Sequence, residues 1–272
     1  MLTLKAYAKV NLGLSVLGKR ADGFHELDTL FARVALHDTV ILEKATGVSL
    51  EVAGADLPTD RRNLTYRAAE FYLAAAGAGG VRLRLDKRIP IAAGLGGGSA
   101  DAAAVLRGLA RLYPAEIDVF QLAQTLGSDV PFFVHDLAAA RGRGRGELLE
   151  PVTLPPLHLV LVNPGVAVSA QDAYAAVTRY DAPLDLESLL KDLGTGVEPD
   201  FPNTLQAGVV GLEPVVGDVL TALQATPLRG AVMSGSGSTC FGLARDEAEA
   251  RTIAEALQTE HPSWWVRATR TV

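Results

Sequence analysis

A lysine and an asparagine, Lys9 and Asn11, interrupt an apolar run near the start of the chain. In a β-strand, residues two apart point to the same side, so these side chains would share one face with Lys5 and Tyr7. A polar face of this kind either meets solvent or lines a cleft, and the sequence leaves both readings open. In a cleft, the ammonium and the amide would be presented together to a bound molecule.

The stretch richest in glycine follows a predicted strand and reads IAAGLGGGSADAA over residues 91–103, with four glycines in five residues. Glycines let the backbone approach a ligand closely, and the N–H groups of a following helix favour bound phosphate. The stretch is not a P-loop, because no lysine follows Gly98, nor a full dinucleotide fingerprint, because Ser99 replaces the third glycine. A plain strand-to-helix connection is the alternative. Ser99 suits the N-cap of the helix, or a contact to phosphate or magnesium.

Three further stretches carry polar side chains that could do chemistry. Asp129, in LGSDVPFFV, suits either a helix N-cap or a general base held at the start of a helix. The Gly/Ser-rich segment 232–243, VMSGSGSTCFGL, suits a hairpin turn or a second anion-contacting loop. His25, in DGFHELDTLF, fits a surface turn that leads into a strand. No second histidine stands at metal-ligand spacing, so we predict no metal site made by protein side chains.

The elements that would position these groups mix strands and helices irregularly. Strands are predicted from alternating or short apolar runs at 2–17, 27–36, 38–45, 48–54, 81–90, 158–163, 231–234, 238–244 and 264–270. Helices are predicted from helical apolar spacing at 63–78, 99–112, 117–127, 171–179, 204–211, 214–225 and 245–258. Because this order lacks a strict βαβα repeat, we predict an α+β architecture. A proline-rich crossing near residue 151 places the boundary between two domains, 1–153 and 154–272.

Composition restricts the partners. The 272 residues carry a formal net charge of -6, which gives no general attraction to nucleic acid or to an anionic membrane. One cysteine excludes an intramolecular disulfide, and no apolar run is long enough to span a bilayer. We therefore expect a cytoplasmic protein without nucleic-acid or membrane partners. The arginine–glycine segment RGRGRG at 141–146 is predicted to be a tight turn, with an RNA-binding segment as the alternative.

Four of these stretches, taken together and in order, resemble the GHMP kinase superfamily of small-molecule kinases. Residues 3–14 match the first motif of the superfamily, PIAAGLGGGSADAAA at 90–104 matches its central glycine loop, and AVMSGSGSTCFG at 231–242 matches its third motif. Within the superfamily, the likeness narrows to a branch whose alcohol substrate carries a cytidine diphosphate. The motifs that carry it are AYAKVNLGL, DGFHEL, NL at 63–64, DKRIPIAAGLGGGSADAA, LGSDVPFF and VNPGVAVSAQDAY.

The resemblance implies a two-domain fold, with an N-terminal α+β domain and a C-terminal ferredoxin-like α/β sandwich. It implies transfer of the γ-phosphoryl group of ATP to an alcohol, with Mg²⁺ carried by ATP. Asp129 would receive the hydroxyl proton, and Lys9 beside it would stabilise charge on the transferred group. The resemblance implies that Asn63, Leu64 and Lys87 lie near the adenine of ATP. The other residues expected to contact ATP are Pro90, Ile91, Ala92, Ala93, Gly94, Leu95, Gly96, Gly97, Gly98, Ser99 and Ala100.

The resemblance also implies how the substrate is chosen. His25 would hydrogen-bond the cytosine edge, while the aromatic rings at positions 24 and 174 would stack on its two faces. The residues expected to contact substrate are Asn11, Phe24, His25, Tyr174, Gly235, Ser236 and Gly237.

Two alternative functions remain open. A GHMP kinase acting on mevalonate or homoserine would need no cytosine recognition, so DGFHEL and LGSDVPFF argue against it. A nucleotide-binding sensor without catalysis would be free to lose Lys9 or Asp129, and both are present. The sequence predicts no oligomeric state.

Overall fold

The computed structural model describes all residues from Met1 to Val272, and they pack as two compact units. The first unit is built from Met1–Ala8, Leu36–Pro90 and Gly96–Leu137. The second is built from Lys9–Ala35, Ile91–Leu95 and Ala138–Val272. Each unit is therefore assembled from separate segments of the chain. The division into domains 1–153 and 154–272 stays a prediction.

Ten strands and nine helices make up the two units. The strands are β1 (Leu2–Lys19), β2 (His25–Ala45), β3 (Ser49–Ala53), β4 (Gly80–Asp86), β5 (Ala139–Gly144), β6 (Leu148–Pro151), β7 (His158–Asn163), β8 (Arg229–Met233), β9 (Cys240–Ala244) and β10 (Trp265–Arg270). The helices are α1 (Leu64–Ala76), α2 (Gly97–Leu112), α3 (Val119–Leu126), α4 (Val130–Val134), α5 (Ala170–Ala175), α6 (Leu186–Thr195), α7 (Gln206–Leu212), α8 (Val215–Gln224) and α9 (Glu247–Glu260). This mixture confirms the predicted α+β class. None of the helices has the length and apolar character needed to cross a membrane.

Strand β2 is continuous, although the sequence predicted two strands, 27–36 and 38–45. No glycine or proline occurs between residues 25 and 45, so no residue type that usually ends a strand interrupts it. In the first unit, Thr39–Ala45 pairs antiparallel with β4. In the second unit, Leu27–Ala32 pairs antiparallel with β5. The residues of this one long strand thus belong partly to each unit.

The first unit packs helices against a sheet with strand order β3-β4-β2. Helix α2 lies close to the sheet at Gly108, where an added methyl group would lie 2.9 Å from Leu42 Cδ1 and 3.1 Å from Leu4 Cδ1. The helix is rich in alanine, which favours helix formation and allows close contact. This packing fixes the helix that follows the glycine stretch.

The second unit contains a four-stranded antiparallel sheet of order β10-β7-β9-β8. Helices connect β7 to β8 and β9 to β10, which is the β-α-β-β-α-β pattern of a ferredoxin-like fold. Its core joins sheet residues such as Val160 and Val162 to helix residues such as Val216, Val219 and Ile253. The predicted ferredoxin-like sandwich is confirmed.

The arginine–glycine segment is a strand over most of its length, so the predicted tight turn at 141–146 is wrong there. Residues 141–144 belong to β5, and the turn to β6 follows at 145–147. The guanidinium of Arg141 donates two hydrogen bonds, of 2.8 and 2.6 Å, to the buried carboxylate of Asp28. A paired arginine in a sheet favours a structural role for this segment over RNA binding.

Candidate functional site

Lys9 and Asn11 are buried side by side on β1, with only 4% and 3% of their surfaces exposed. The Lys9 Nζ atom donates to Asn11 Oδ1 at 2.5 Å and to the backbone oxygen of Gly94 at 2.9 Å. Both faces of β1 are buried from Ala8 to Val16, which excludes the reading of a solvent-facing polar edge. An ammonium is therefore held directly against the glycine stretch.

The turn after β8 closes around these two side chains in the second unit. The Ser234 hydroxyl donates to Gly94 O at 3.1 Å and accepts from the Asn11 N–H at 3.2 Å. Gly235 has a φ of 57°, and a methyl group there would lie 2.9 Å from Asn11 Oδ1 and 3.0 Å from Lys9 Nζ. A side chain at Gly94, with a φ of 73°, would lie 2.0 Å from the Ser234 carbonyl oxygen. Glycine is required at both positions because neither backbone conformation nor space admits another residue.

Two asparagines that the sequence analysis did not single out hold this turn. The Asn203 Nδ2 atom donates to the carbonyl oxygens of Met233 at 2.7 Å and Gly235 at 2.9 Å. The Asn163 Nδ2 atom donates to the Ser238 hydroxyl at 3.1 Å. Asn163 directly follows the apolar residues LVLV at 159–162 and is buried at the end of β7. A single amide after such an apolar run was the signal that the sequence offered. In the turn that Asn203 and Asn163 hold, Gly235 and Gly237 are buried and Ser236 is half-buried.

The glycine stretch divides its residues between the two units, and residues 91–95 belong to the second. Their carbonyl groups are used within the protein: Ala93 accepts from the Thr239 N–H at 3.2 Å, and Leu95 accepts from the Lys9 N–H at 3.0 Å. Ile91 is 49% exposed, Ala92 has a φ of 49°, and Pro90 is half-buried in the first unit. This half of the stretch is fixed by its carbonyl oxygens rather than left as an open loop.

In the first unit, the second half of the stretch starts α2 earlier than predicted. Gly96, with a φ of 69°, is the N-cap and Ser99 is the third helical residue, so the N-cap role, one of three left open for Ser99, is wrong. The first bond of the helix runs from the Ala100 N–H to Gly96 O at 2.9 Å, which leaves the N–H groups of residues 97–99 without an acceptor inside the helix. A methyl group at Gly98 would meet no atom within 4 Å. These open N–H donors at a helix start fit a phosphate group.

Lys87 lies beneath this helix start in a buried group of three charges, again within the first unit. Its Nζ atom donates to Asp38 Oδ2 at 2.5 Å and to Asp101 Oδ2 at 2.8 Å. Burial alone would lower the pKa of Lys87, but the two carboxylates raise it above its ordinary value. Burial raises the pKa of Asp101 to about 7, against the attraction of Lys87 and with a contribution from the charge of Asp38. A methyl group at Gly97 would lie 3.3 Å from Lys87 Nζ, so the triad supports the first turn of α2.

The other residues expected near adenine begin α1. Asn63 is its N-cap: the side-chain oxygen accepts from the Thr65 N–H at 2.9 Å, and Nδ2 donates to Pro58 O at 2.8 Å. Leu64 is the first residue of the helix and is half-buried. The amide of Asn63 thus has a local structural role, and an adenine contact by Asn63, Leu64 or Lys87 stays a prediction.

Asp129, also in the first unit, occupies the N-cap position of α4. Its side chain accepts no capping hydrogen bond from the helix, and the residue is half-buried. A helix-capping role for the Asp129 side chain is therefore not supported, because the hydrogen bond that defines such a role is not formed. Its role as a base stays a prediction.

The residues expected to recognise cytosine cluster in the second unit. The His25 ring stacks on Tyr174, with ring centroids 5.2 Å apart and planes inclined by 16°. Phe24 is 51% exposed, and the Arg145 guanidinium lies 4.8 Å from its ring centroid. Burial, followed by the charge of Lys19, lowers the pKa of His25. The lowered pKa favours the neutral imidazole, in which one nitrogen donates and the other accepts.

Comparisons with known proteins identify the family to which the chain belongs. The family model for the GHMP kinases N terminal domain matches residues 63–136, and that for the GHMP kinases C terminal matches residues 184–263. The 4-diphosphocytidyl-2-C-methyl-D-erythritol kinase of Deinococcus radiodurans is 51% identical over 97% of this chain and 91% of its own length. The enzyme of the same name from Thermus thermophilus is 49% identical over 95% and 94%.

Solved structures extend the likeness to three dimensions. A crystal structure of 4-(cytidine 5'-diphospho)-2C-methyl-D-erythritol kinase has a TM-score of 0.89 and 47% identity, with 100% of both chains covered. A homoserine kinase from Cytophaga hutchinsonii, at 20% identity and a TM-score of 0.68, shares the fold alone. The predicted fold and the resemblance are confirmed, and the chain belongs to the 4-diphosphocytidyl-2-C-methyl-D-erythritol kinase family of the GHMP kinases.

Proposed function

We propose that the chain phosphorylates the 2-hydroxyl of 4-diphosphocytidyl-2-C-methyl-D-erythritol with ATP, in the non-mevalonate route to isoprenoid precursors. The names of relatives that share about half of its residues over nearly the whole chain support this substrate. The observation that carries the proposal is the buried Lys9 ammonium, which is bound to the carbonyl of Gly94 in the glycine stretch. A fixed cation joined to a loop of this kind suits transfer of a phosphoryl group, because that reaction depends on positioning and charge stabilisation.

The chain's residues would divide the work of the reaction. The bond between the γ-phosphorus and the β-phosphate oxygen breaks, a bond from the alcohol oxygen to that phosphorus forms, and ADP leaves. Asp129 accepts the proton that the hydroxyl loses. Lys9 stabilises the negative charge of the transferred group, and Asn11 holds the Lys9 ammonium in place.

The open N–H groups at the start of α2 would bind the phosphates of ATP, which supplies the phosphoryl group. We propose that Mg²⁺ arrives bound to ATP, with the Ser99 hydroxyl as a candidate ligand. No group of three or more His, Cys, Asp or Glu side chains in the structure is placed to hold a metal ion. Magnesium commonly retains waters and binds through substrate phosphates, so such a group is not required.

Specificity would come from the cytidine end of the substrate. Cytosine presents an amino donor beside ring acceptors, and the His25 imidazole would make one hydrogen bond to this edge. Tyr174 and Phe24 would supply stacking surfaces, with Arg145 over one face of Phe24. A cytoplasmic location and the absence of nucleic-acid or membrane partners stay predictions.

The experiment that tests this function measures ADP release with a panel of alcohols. We expect turnover of the cytidine-bearing alcohol and no detectable turnover of free methylerythritol phosphate, with kcat/KM lower by about 10⁴-fold or more, because that molecule leaves the cytosine-binding groups unpaired. Mevalonate and homoserine should release no ADP above background. Equal use of the cytidine-bearing alcohol and methylerythritol phosphate would refute cytosine recognition by His25. Nucleotide binding without ADP release from any alcohol would favour the sensor alternative.

A substitution at Gly98 tests the phosphate-binding role of α2. Gly98→Ala should raise the KM for ATP about tenfold, since the methyl group would occupy the open space through which a phosphate reaches the backbone. Thermal stability should hold or rise slightly, because alanine favours the helix and meets no atom within 4 Å. Gly211→Ala, at an equally open helical glycine, is the matched control and should leave the KM unchanged. An unchanged KM in Gly98→Ala would mean that phosphate does not approach this turn.

A further inference from the structure

A chain of hydrogen bonds leads from Lys9 to a threonine on the neighbouring strand. The Lys9 Nζ atom donates to Asn11 Oδ1 at 2.5 Å, and the Asn11 Nδ2 atom donates to Thr29 Oγ1 at 2.7 Å. The Thr29 hydroxyl in turn donates to the carbonyl oxygen of Gly13 at 2.7 Å. All of these residues belong to the second unit, and Thr29 is 1% exposed.

The chemistry of the two ends fixes the direction of every bond in this chain. The Gly13 carbonyl can only accept, so the single hydroxyl hydrogen of Thr29 is committed to it. The Thr29 oxygen must then accept from Asn11, which requires Nδ2 on that side. The Lys9 ammonium can only donate, so it requires Oδ1 on the opposite side. Both ends select the same orientation of the Asn11 amide.

Burial makes the wrong orientation costly. If the amide of Asn11 turned over, its NH₂ group would face the Lys9 ammonium, with donors opposed. The Thr29 hydroxyl could bond to the amide oxygen only by leaving the Gly13 carbonyl without its hydrogen. Because these side chains are buried, water is not at hand to replace a lost bond, and an unpaired buried polar group is destabilising.

The Lys9 ammonium needs this orientation for its hydrogen bond to Asn11. It also donates to Gly94 O, which accepts from the Ser234 hydroxyl as well. If Asn11 turned a donor toward it, the ammonium would lose its 2.5 Å hydrogen bond and would be repelled from that side. The direction in which Lys9 presents its charge would then no longer be fixed.

We propose that Thr29 is a positioning residue for phosphoryl transfer: it fixes the amide orientation of Asn11 and thereby the direction of the Lys9 ammonium. This inference rests on the proposed role of Lys9 in the reaction. Thr29 acts through Asn11 and not by contact with the reacting atoms, so it should affect the rate of the chemical step more than nucleotide binding.

Thr29→Val removes the hydroxyl and keeps the shape of the side chain, so it isolates the hydrogen bond. We expect kcat to fall about tenfold to a hundredfold, with the KM for ATP within about twofold of wild type. Thr29→Ser is the matched control, since it retains the hydroxyl, and should restore kcat to within about threefold of wild type. Thr29→Ser as slow as Thr29→Val would contradict the proposal, as would wild-type kcat in Thr29→Val.

A second background separates positioning from a general structural defect. Asn11→Ala removes the amide on which Thr29 acts, so adding Thr29→Val should cause no further fall in the single-turnover rate. An equal fractional loss in both backgrounds would overturn the proposal. Wild-type rates on the alcohol panel are measured first, and the variants are then compared with whichever alcohol wild type uses. Failure of the proposed substrate and failure of the Thr29 inference are therefore distinguishable.

The orientation itself can be observed without turnover. The chain has four asparagines, so selective ¹⁵N labelling gives few side-chain amide signals, and Asn11→Ala assigns that of Asn11. We expect the Asn11 amide protons to exchange slowly in wild type and Thr29→Ser, and to shift and exchange faster in Thr29→Val. An Asn11 signal that is the same in wild type and Thr29→Val would show that Thr29 does not hold the amide.

Discussion

Asp129→Asn is expected to lower kcat by ~10⁴-fold, the upper end of what a general base contributes. An amide cannot accept the hydroxyl proton, whereas its size and shape match those of the carboxylate. The fold should be retained, because the substituted side chain has the same shape and the N-cap position of α4 accepts asparagine as well as aspartate. Nucleotide and alcohol should still bind, with affinities close to those of wild type.

The measurement is kcat by ADP release, together with binding of nucleotide and substrate at equilibrium. Asp118→Asn is the matched control, because Asp118 also starts a helix of the first unit and its carboxylate accepts from the Gln121 N–H at 3.0 Å. Asparagine is an equally good N-cap, so we expect full activity from this control. Phosphorylation by Asp129→Asn at a rate near that of wild type would remove Asp129 from the role of base.

Most elements could be predicted because local sequence specifies them. Alternation of apolar residues predicted β1 and β4, and helical spacing ending in glycine predicted α1, which Gly77 closes in a left-handed conformation. Helix α6 was missed although its signal was present: Asp185 accepts from the Ser188 N–H at 3.1 Å as N-cap, and leucines follow at helical spacing. The pattern covers only 10 residues and lies among charged residues just after Pro183, so it was not recognised as a helix.

The start of α2 shows where local rules mislead. Serine is a preferred N-cap residue, so the sequence suggested Ser99 for that role. The helix instead begins after Gly96, because only glycine readily adopts the left-handed conformation found there. The preference of one side chain was outweighed by a backbone conformation that the sequence did not reveal.

The candidate site could be predicted only in part, because its contacts join distant parts of the chain. The polar face with Lys9 and Asn11 was visible, but whether it met solvent depended on partners far along the sequence. Gly94 and Ser234, which bind these residues, lie 85 positions after Lys9 and 223 positions after Asn11. Thr29 and Asp28 gave a weak signal, as two polar residues inside the apolar run LDTLF. No rule of spacing assigns hydrogen-bond partners to such residues.

The second large effect is expected at the buried charges beneath α2. Asp38→Asn should lower the free energy of unfolding by about 3–5 kcal/mol, the usual cost of removing one partner from a buried ion pair. Asp38 is fully buried, and its carboxylate accepts from Lys87 Nζ at 2.5 Å and from the N–H groups of Arg88 at 2.5 Å and Ile89 at 2.9 Å. An amide has one oxygen, so its NH₂ group would face either the ammonium or the two backbone donors.

Asp101→Asn is the matched comparison within the same triad, and it should cost far less. The Asp101 Oδ2 atom accepts from Lys87, but Oδ1 is buried without a hydrogen-bond partner. Asparagine keeps an oxygen for Lys87 and removes a charge that burial disfavours. The KM for ATP should rise in Asp38→Asn more than in Asp101→Asn, because Asp38 binds the segment that precedes the glycine stretch.

The two variants should also differ in their response to pH, and the sign follows from the pKa of Asp101. That pKa is raised from 3.8 in the unfolded chain to about 7 in the folded protein, so between these values the folded state binds more protons. The contribution of Asp101 to stability is full below pH 3.8 and is lost as the pH rises through 7. Urea unfolding at about pH 5 and pH 8 should therefore show wild type losing stability relative to Asp101→Asn, while Asp38→Asn is weak at both. Equal losses in the two variants, at both pH values, would mean that Asp38 does not anchor the triad.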